Sequence, residues 1–357
     1  MKQSSEEIIL GIDTSCDETS IAISQGRKIL SSIRATQIDI HKEWGGVVPM
    51  IAKRAHEENI QGVFEKTLKK AKVKIEDIDY IAVTQGPGLA IDLEVGIQFA
   101  KELCKKYGKP LVPVNHMEGH LLSSLTLNSK GVGLVSEKDL KEVFPALGLL
   151  MSGKHTEIIY VEGFGKYTKL GLTLDDAAGE AFDKVGRMLD FGYPGGPVVS
   201  EFAKRGKSGV IPLPIPMEKS KDLNFSYSGL KTAVLYKIKE LKEKGVPQKE
   251  WVYDICRSFV DSIKKSVILK LEMALKQYPE VKSVMVGGGV FSSEEVLRSI
   301  GKVVKDHDLK YLYPKSDYRS DNAGMICIAG YYNIMRGNIV KKSEEVSTVD
   351  RDPRLSL

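Results

Sequence analysis

A strand, a short polar turn, a second strand, a glycine turn and a third strand occur twice in this chain, once in each half. The first copy reads IILGIDTSCDETSIAIS. Residues 8–13 and 20–24 are apolar or alternate with the period of a strand, and TSCDET between them is a polar turn. Gln25-Gly26-Arg27 forms the next turn, and KILSSIR the third strand. The second copy, LGLLMSGKHTEIIYVEGFGKYTKLGL at 147–172, has SGKHT as its polar turn and EIIYV as its middle strand. Helix-period stretches follow each copy, for example 53–72 and 176–190. One supersecondary unit used twice, in a chain of 357 residues, predicts two α/β lobes. Hairpins also recur by chance in α/β proteins, so the repeat needs support from what the turns carry.

Tight turns rich in Gly, Ser and Thr point backbone N–H groups and hydroxyls inward, which suits phosphate oxygens. Two such turns, one from each half, can grip a nucleotide's phosphates from both sides. SVMVGGGVFSS (283–293) adds a buried strand running into Gly287, Gly288 and Gly289, where the backbone can approach a ring or ribose closely. GLLMSGKH (148–155) fits the spacing G-x-x-x-x-G-K, but His155 stands where a P-loop needs Ser or Thr. TEIIYV after it reads as a strand rather than the required helix, so a P-loop is rejected.

VNHMEGHLLSS (114–124) places His116 and His120 four residues apart, on one face of a helix and able to share a metal. A zinc peptidase needs glutamate directly after the first histidine, and Met117 occupies that position. Glu118 therefore points elsewhere and the general base is missing. Two histidines are too few for a metal site; YRSDNAGM (318–325) offers Asp321, just before a small-residue helix start.

Composition narrows the class. With 42% hydrophobic and 28% charged residues the chain is ordinary for a soluble protein. The N-terminus lacks a signal-peptide pattern, and no apolar run approaches the roughly 18 residues that span a bilayer. Cys16, Cys104, Cys256 and Cys327 are widely spaced, as in a reduced, cytoplasmic protein. A net charge of +5 allows a nucleic-acid partner without demanding one.

Eight stretches in order resemble the TsaD/Gcp family, whose relatives form the catalytic subunit of the KEOPS complex. They are LGIDTSCDETSIAI, HKEWGGVVPMIAKRAH, GPGL, VNHMEGHLLSS, LDDAAGEAFDKVGRMLDFGYPGGP, FSYSGLKTAV, GGGV and SDNAGM, and they cover nearly the whole chain. The resemblance implies a two-lobed α/β actin/hexokinase/Hsp70-like (ASKHA) fold with duplicated βββαβα units. The lobes are expected at 1–144, with 322–357 packing back on it, and at 145–321. It also implies transfer of a threonylcarbamoyl group from threonylcarbamoyl-AMP to N6 of adenosine 37 in tRNAs reading ANN codons, with release of AMP. His116, His120 and Asp321 would hold one iron or zinc ion. Leu150, Met151, Ser152, Gly153, Lys154, Asp183, Gly196, Gly288 and Gly289 would take the adenylate, with Asp183 on the ribose hydroxyls; ATP or ADP would fit the same cleft. Ser15, Asp17 and Glu18 would face the reacting end. Ser228 and Lys231 are equally readable as phosphate or tRNA contacts and as the start of a helix. Expected partners are the tRNA anticodon loop, with Arg34, Lys53, Arg54 and Lys231 as basic candidates, and TsaB-like and TsaE-like proteins, in the cytoplasm and away from membranes.

The chain departs from the family pattern in places. Lys154 replaces a glycine and must avoid a positive φ or be strained. The family's adenine-side asparagine is missing from Gly288-Gly289-Val290-Phe291-Ser292-Ser293. Asp92, Glu94 and Met50 also differ from the usual residues. Two other functions compete with the transferase: a non-catalytic nucleotide-binding scaffold, and an ATP-dependent small-molecule kinase of the same fold. The kinase has no use for His116 and His120.

Overall fold

The computed structural model describes residues 7–357. It divides into two compact units, one comprising the chain up to Leu140 together with Leu312–Leu357, the other Lys141–Tyr311.

In the first unit, β1 (Ile8–Asp13), β2 (Glu18–Gln25) and β3 (Lys28–Thr36) form the expected meander, followed by α1 (Ile38–His41) and α2 (Pro49–Ala71). Pro49 at the first position of α2 starts this helix ahead of the stretch at 53–72, because proline's fixed φ suits a first turn. Then come β4 (Tyr80–Gly86), α3 (Ala90–Tyr107), β5 (Leu111–Asn115) and α4 (His116–Leu122). The sheet order is β3-β2-β1-β4-β5, with β4 and β5 parallel to β1.

The second unit repeats the plan. β6 (Ala146–Met151), β7 (Thr156–Gly163) and β8 (Lys166–Leu172) precede α5 (Ala178–Met188), α6 (Gly195–Ala203), α7 (Ser228–Glu243) and α8 (Gln248–Gln277). β9 (Ser283–Gly287), α9 (Glu294–Asp306) and β10 (Lys310–Leu312) complete it, and the order β10-β9-β6-β7-β8 matches the first sheet strand for strand. The hairpin repeat read from sequence is thus a repeat of whole sheets.

The chain then returns to the first unit as α10 (Ala323–Met335) and α11 (Ser343–Thr348). The first sheet is covered on both faces, which strand alternation demands. Leu10 and Ile12 of β1 join Ile21, Val63, Phe64 and Ile97 in one core with α2 and α3. On the opposite face α10 packs on β1, β2, β4 and β5 and on α4. Gly11 permits this approach: a Cβ there would lie 2.6 Å from Cys327 Sγ and 2.7 Å from the Ala323 carbonyl. Among the described residues no helix is long and apolar enough to cross a membrane.

Candidate metal centre and nucleotide pocket

The metal candidate lies within the first unit. Asn115 ends β5 and caps α4, its side-chain oxygen accepting the N–H of Met117 at 2.8 Å and of Glu118 at 3.3 Å. Such a cap contributes on the order of 1 kcal/mol and sets the helix's starting direction. His116 and His120 then fall on one face, with ring centroids 4.7 Å apart. Asp321 arrives just ahead of Asn322, which caps α10 by accepting the Met325 N–H at 3.0 Å. Asp321 Oδ1 lies 3.1 Å from His120 Nε2 and 3.6 Å from His116 Nε2, and one ligand atom from each residue falls within 4.8 Å of the others. Tetrahedral ligands at ~2.0–2.1 Å from a zinc ion sit roughly 3.3 Å from one another. The three residues therefore fit an ion with little movement, and two imidazoles with one carboxylate suit iron or zinc. Both histidines are buried while Asp321 is partly exposed, so the site opens on the aspartate side.

The electrostatics of the cluster favour positive charge between the carboxylates. Burial pushes the His116 ring down, but the carboxylates of Asp13 and Asp321 outweigh it and raise its pKa to about 10. Burial opposes the charge on Asp321, yet the two imidazoles hold its carboxyl well below the usual range.

Glu118 is nearly buried and faces away from this cluster. It accepts the Asn333 side-chain N–H at 3.0 Å and pairs with Arg336 at 2.8 Å. The peptidase reading fails in the structure as it does in the sequence.

The first turn is pinned from two sides. Thr14 Oγ1 donates to the Asp92 carbonyl and accepts the Gly96 N–H, and His56 Nε2 donates to the Cys16 carbonyl at 2.7 Å. Burial lifts the Glu18 pKa to about 7 against the pull of Arg34. Arg34 also donates to Ser320 Oγ at 2.7 Å and to the Asp321 carbonyl at 3.2 Å, so it buttresses the Asp321 segment rather than standing as free basic surface. The other basic candidates are paired as well: Lys53 with Glu57, Arg54 with Glu58 and Lys231 with Asp176.

The second unit holds a pocket of about 330 Å³, lined by Gly153, Asp183, Gly196 and Gly289 with Lys204 and Ser293 among its neighbours. α5 and α6 cross closely because Gly186 and Gly195 touch backbone to backbone. That crossing brings the Gly196 N–H to Asp183 Oδ1 at 2.8 Å. Leu150 and Met151 are fully buried at the end of β6 and do not line the pocket; neither do Ser152, Lys154 or Gly288. Gly288 has φ +105°, and a Cβ there would come within 2.4 Å of the Met151 carbonyl, so its close approach is to the neighbouring strand. In the SGKHT turn the Lys154 and His155 N–H groups both donate to Ser152 Oγ, leaving fewer donors for an anion than the turn's composition suggests. Lys154 is exposed, and its backbone is outside the left-handed region, so the replacement of glycine brings no strain. Where the asparagine is missing, Ser292, Ser293, Glu294 and Glu295 border the pocket, with Glu295 paired to Arg257 and Lys264.

Ser228 is the first residue of α7, after its N-cap Tyr227, and its hydroxyl donates to Asp175 at 2.6 Å. With Lys231 on Asp176, the paired aspartates of LDDAAGEAFDK tie down FSYSGLKT. The sequence missed these links, and those of Asp13 and Arg34, because each joins positions far apart in the chain.

Two five-stranded sheets with one strand order place the chain in the actin/hexokinase/Hsp70-like class of α/β proteins. Solved structures agree on the fold. HypF from T. kodakarensis aligns with 94% of this chain and 48% of its own at a TM-score of 0.57 and 13% identity. Component A of (R)-2-hydroxyglutaryl-CoA dehydratase from Acidaminococcus fermentans aligns with 92% of this chain and 99% of its own at 0.50 and 14%. The family model for TsaD, tRNA N6-adenosine threonylcarbamoyltransferase, matches residues 28–328. Proteins of that description from Thermosipho africanus and Thermodesulfovibrio yellowstonii are 43% and 45% identical to this chain, over 98% and 93% of it and 100% and 96% of their own lengths. The chain belongs to the TsaD family.

Proposed function

We propose that this protein transfers the threonylcarbamoyl group of threonylcarbamoyl-AMP to N6 of adenosine 37 in tRNAs reading ANN codons, forming threonylcarbamoyladenosine and releasing AMP. The observation that carries this reading is the convergence of His116, His120 and Asp321 in a chain of this family. His116 and His120 would bind iron or zinc through Nε2 and Asp321 through its carboxylate. When bound, the ion supplies Lewis-acid polarisation of the oxygens around the carbamoyl carbon.

The chain's own residues supply binding and orientation. The pocket of the second unit would take the adenylate, with Asp183 accepting the ribose hydroxyls and Gly153, Gly196 and Gly289 leaving room for the nucleotide. Ser292 and Ser293 stand where the family's asparagine is absent. AMP is a good leaving group, so positioning and electrostatics suffice for attack by the adenosine N6 without a covalent intermediate. Its partners in the cytoplasm would be tRNA and, by resemblance, TsaB-like and TsaE-like proteins. Since the basic candidates are already paired with acids, tRNA affinity should fall with salt less steeply than four free cations would give.

The test is single-turnover transfer from threonylcarbamoyl-AMP to unmodified tRNA, wild type beside His116→Ala, with and without the two partner proteins. Modified adenosine from the wild type and none from the variant is the expected result. No product from the wild type under any condition, with metal and AMP still bound, would overturn the transferase reading in favour of a scaffold.

A further inference from the structure

We infer that Asp13 is a positioning residue for the metal, taking the Nδ1–H of His116 so that Nε2 is presented as the ligand. This rests on the reading of His116, His120 and Asp321 as a metal site. Strand alternation sets which face of β1 each side chain meets. Leu10 and Ile12 turn into the core with α2 and α3, whereas Gly11 lies against α10. Asp13, two residues on from Gly11, is delivered to the same face as α10 and α4. It is the last residue of β1 and is fully buried.

A buried carboxylate needs partners. Asp13 Oδ1 accepts the Thr84 hydroxyl at 2.7 Å and stands 3.5 Å from His116 Nδ1, a small ring rotation from hydrogen-bond length. Asp13 Oδ2 has no hydrogen-bond partner. The imidazole of His116 is therefore set between two carboxylates, one nitrogen toward Asp13 and the other toward Asp321 at 3.6 Å. Neither His116 Nδ1 nor His120 Nδ1 makes a hydrogen bond, and what sets His116 apart is the Asp13 carboxylate 3.5 Å from its Nδ1. The two histidines are inequivalent ligands: His116 is oriented and made more basic through a Thr84–Asp13 relay, and His120 is held by its helix. Carboxylates that orient a ligating histidine typically change metal affinity by about 10–100-fold.

The experiment titrates metal-free wild type, Asp13→Asn and Asp13→Ala with Zn²⁺ against a chromophoric chelator, after thermal melts show that each variant folds. Nitrogen-15 imidazole spectra of the zinc-loaded proteins follow. The wild type should bind one Zn²⁺ and show a slowly exchanging His116 Nδ1–H. Both variants should bind about 10–100-fold more weakly, and that proton should exchange rapidly. Affinities within twofold of wild type, with the protected proton retained, overturn the role of Asp13. Absence of zinc binding by the wild type itself overturns the metal reading instead. Should the Asp13 variants not fold, Thr84→Val removes the hydroxyl that steadies the carboxylate. It should weaken zinc severalfold, and unchanged affinity with an unchanged imidazole proton counts equally against the inference.

Discussion

Arg336 Nη2 donates to Glu118 Oε1 at 2.8 Å, and this pairing fixes what the His-Met-Glu-Gly-His helix can do. The carboxylate between the two histidines is spent on joining α4 to α10, with Asn333 on its other oxygen. Glu118 is thus a structural acid inside a catalytic-looking motif.

Glu118→Gln should lower stability by about 1.5–3 kcal/mol, the range for a hydrogen bond to a charged group. Zinc affinity should stay within a fewfold of wild type. Urea denaturation and zinc titration measure the two separately. A variant of native stability with no transferase activity would instead place Glu118 in the chemistry.

Glu18 gives a pH dependence of definite sign. Its pKa rises from 4.5 to about 7 on folding, because burial disfavours the charged form. The folded protein therefore holds a proton that the unfolded chain has released between those values, so this group's contribution to stability falls as pH rises through the window. Glu18→Gln should flatten that slope and gain on the order of 1–3 kcal/mol above pH 7 relative to wild type. Denaturation curves at pH 5 and pH 8 decide it; parallel curves for the two proteins would show that Glu18 does not titrate in this range.

Two adjacent glycines should behave oppositely. Gly288→Ala forces a side chain onto a φ of +105° and into the Met151 carbonyl, and should cost about 1–3 kcal/mol or more. Gly289→Ala meets nothing within 4 Å, so stability should stay within about 0.5 kcal/mol while AMP binding weakens, because the new methyl enters the pocket wall. Equal effects on stability would mean that the strain assigned to Gly288 is not there.

Lys154→Gly should bring no relief. The lysine backbone is outside the left-handed region, so restoring the family's glycine adds only unfolded-state entropy and should lower stability by roughly 0.5–1 kcal/mol. A gain in melting temperature would show hidden strain in the turn.

Much of this was legible in the sequence because it depended on local pattern. The period of IILGID and ALGLLM marks strands, and spacing alone puts His116 and His120 on one helical face. What the sequence withheld were meetings between distant segments. Arg34 and Lys231 look like free cations until Glu18, Ser320 and Asp176 are seen beside them. Asp13 reads as the polar end of a strand, and only the packing of α4 against that face makes it a neighbour of His116. Gly288 illustrates the same limit: a glycine triplet announces a close approach without saying whether to a ligand or to the next strand.

The first unit is discontinuous, and this has a consequence for how the protein is born. His120 and Asp321 are separated by 201 residues, and the whole second sheet is synthesised between them. At about 5–20 residues per second a ribosome needs roughly 10–40 s to cover that distance. During that interval β1–β5 lack α10, the helix that covers one face, while the second unit is contiguous and can complete itself first. The nascent first half therefore waits with one face of its sheet uncovered, and Asp321 can join His116 and His120 only when the returning helix closes that sheet.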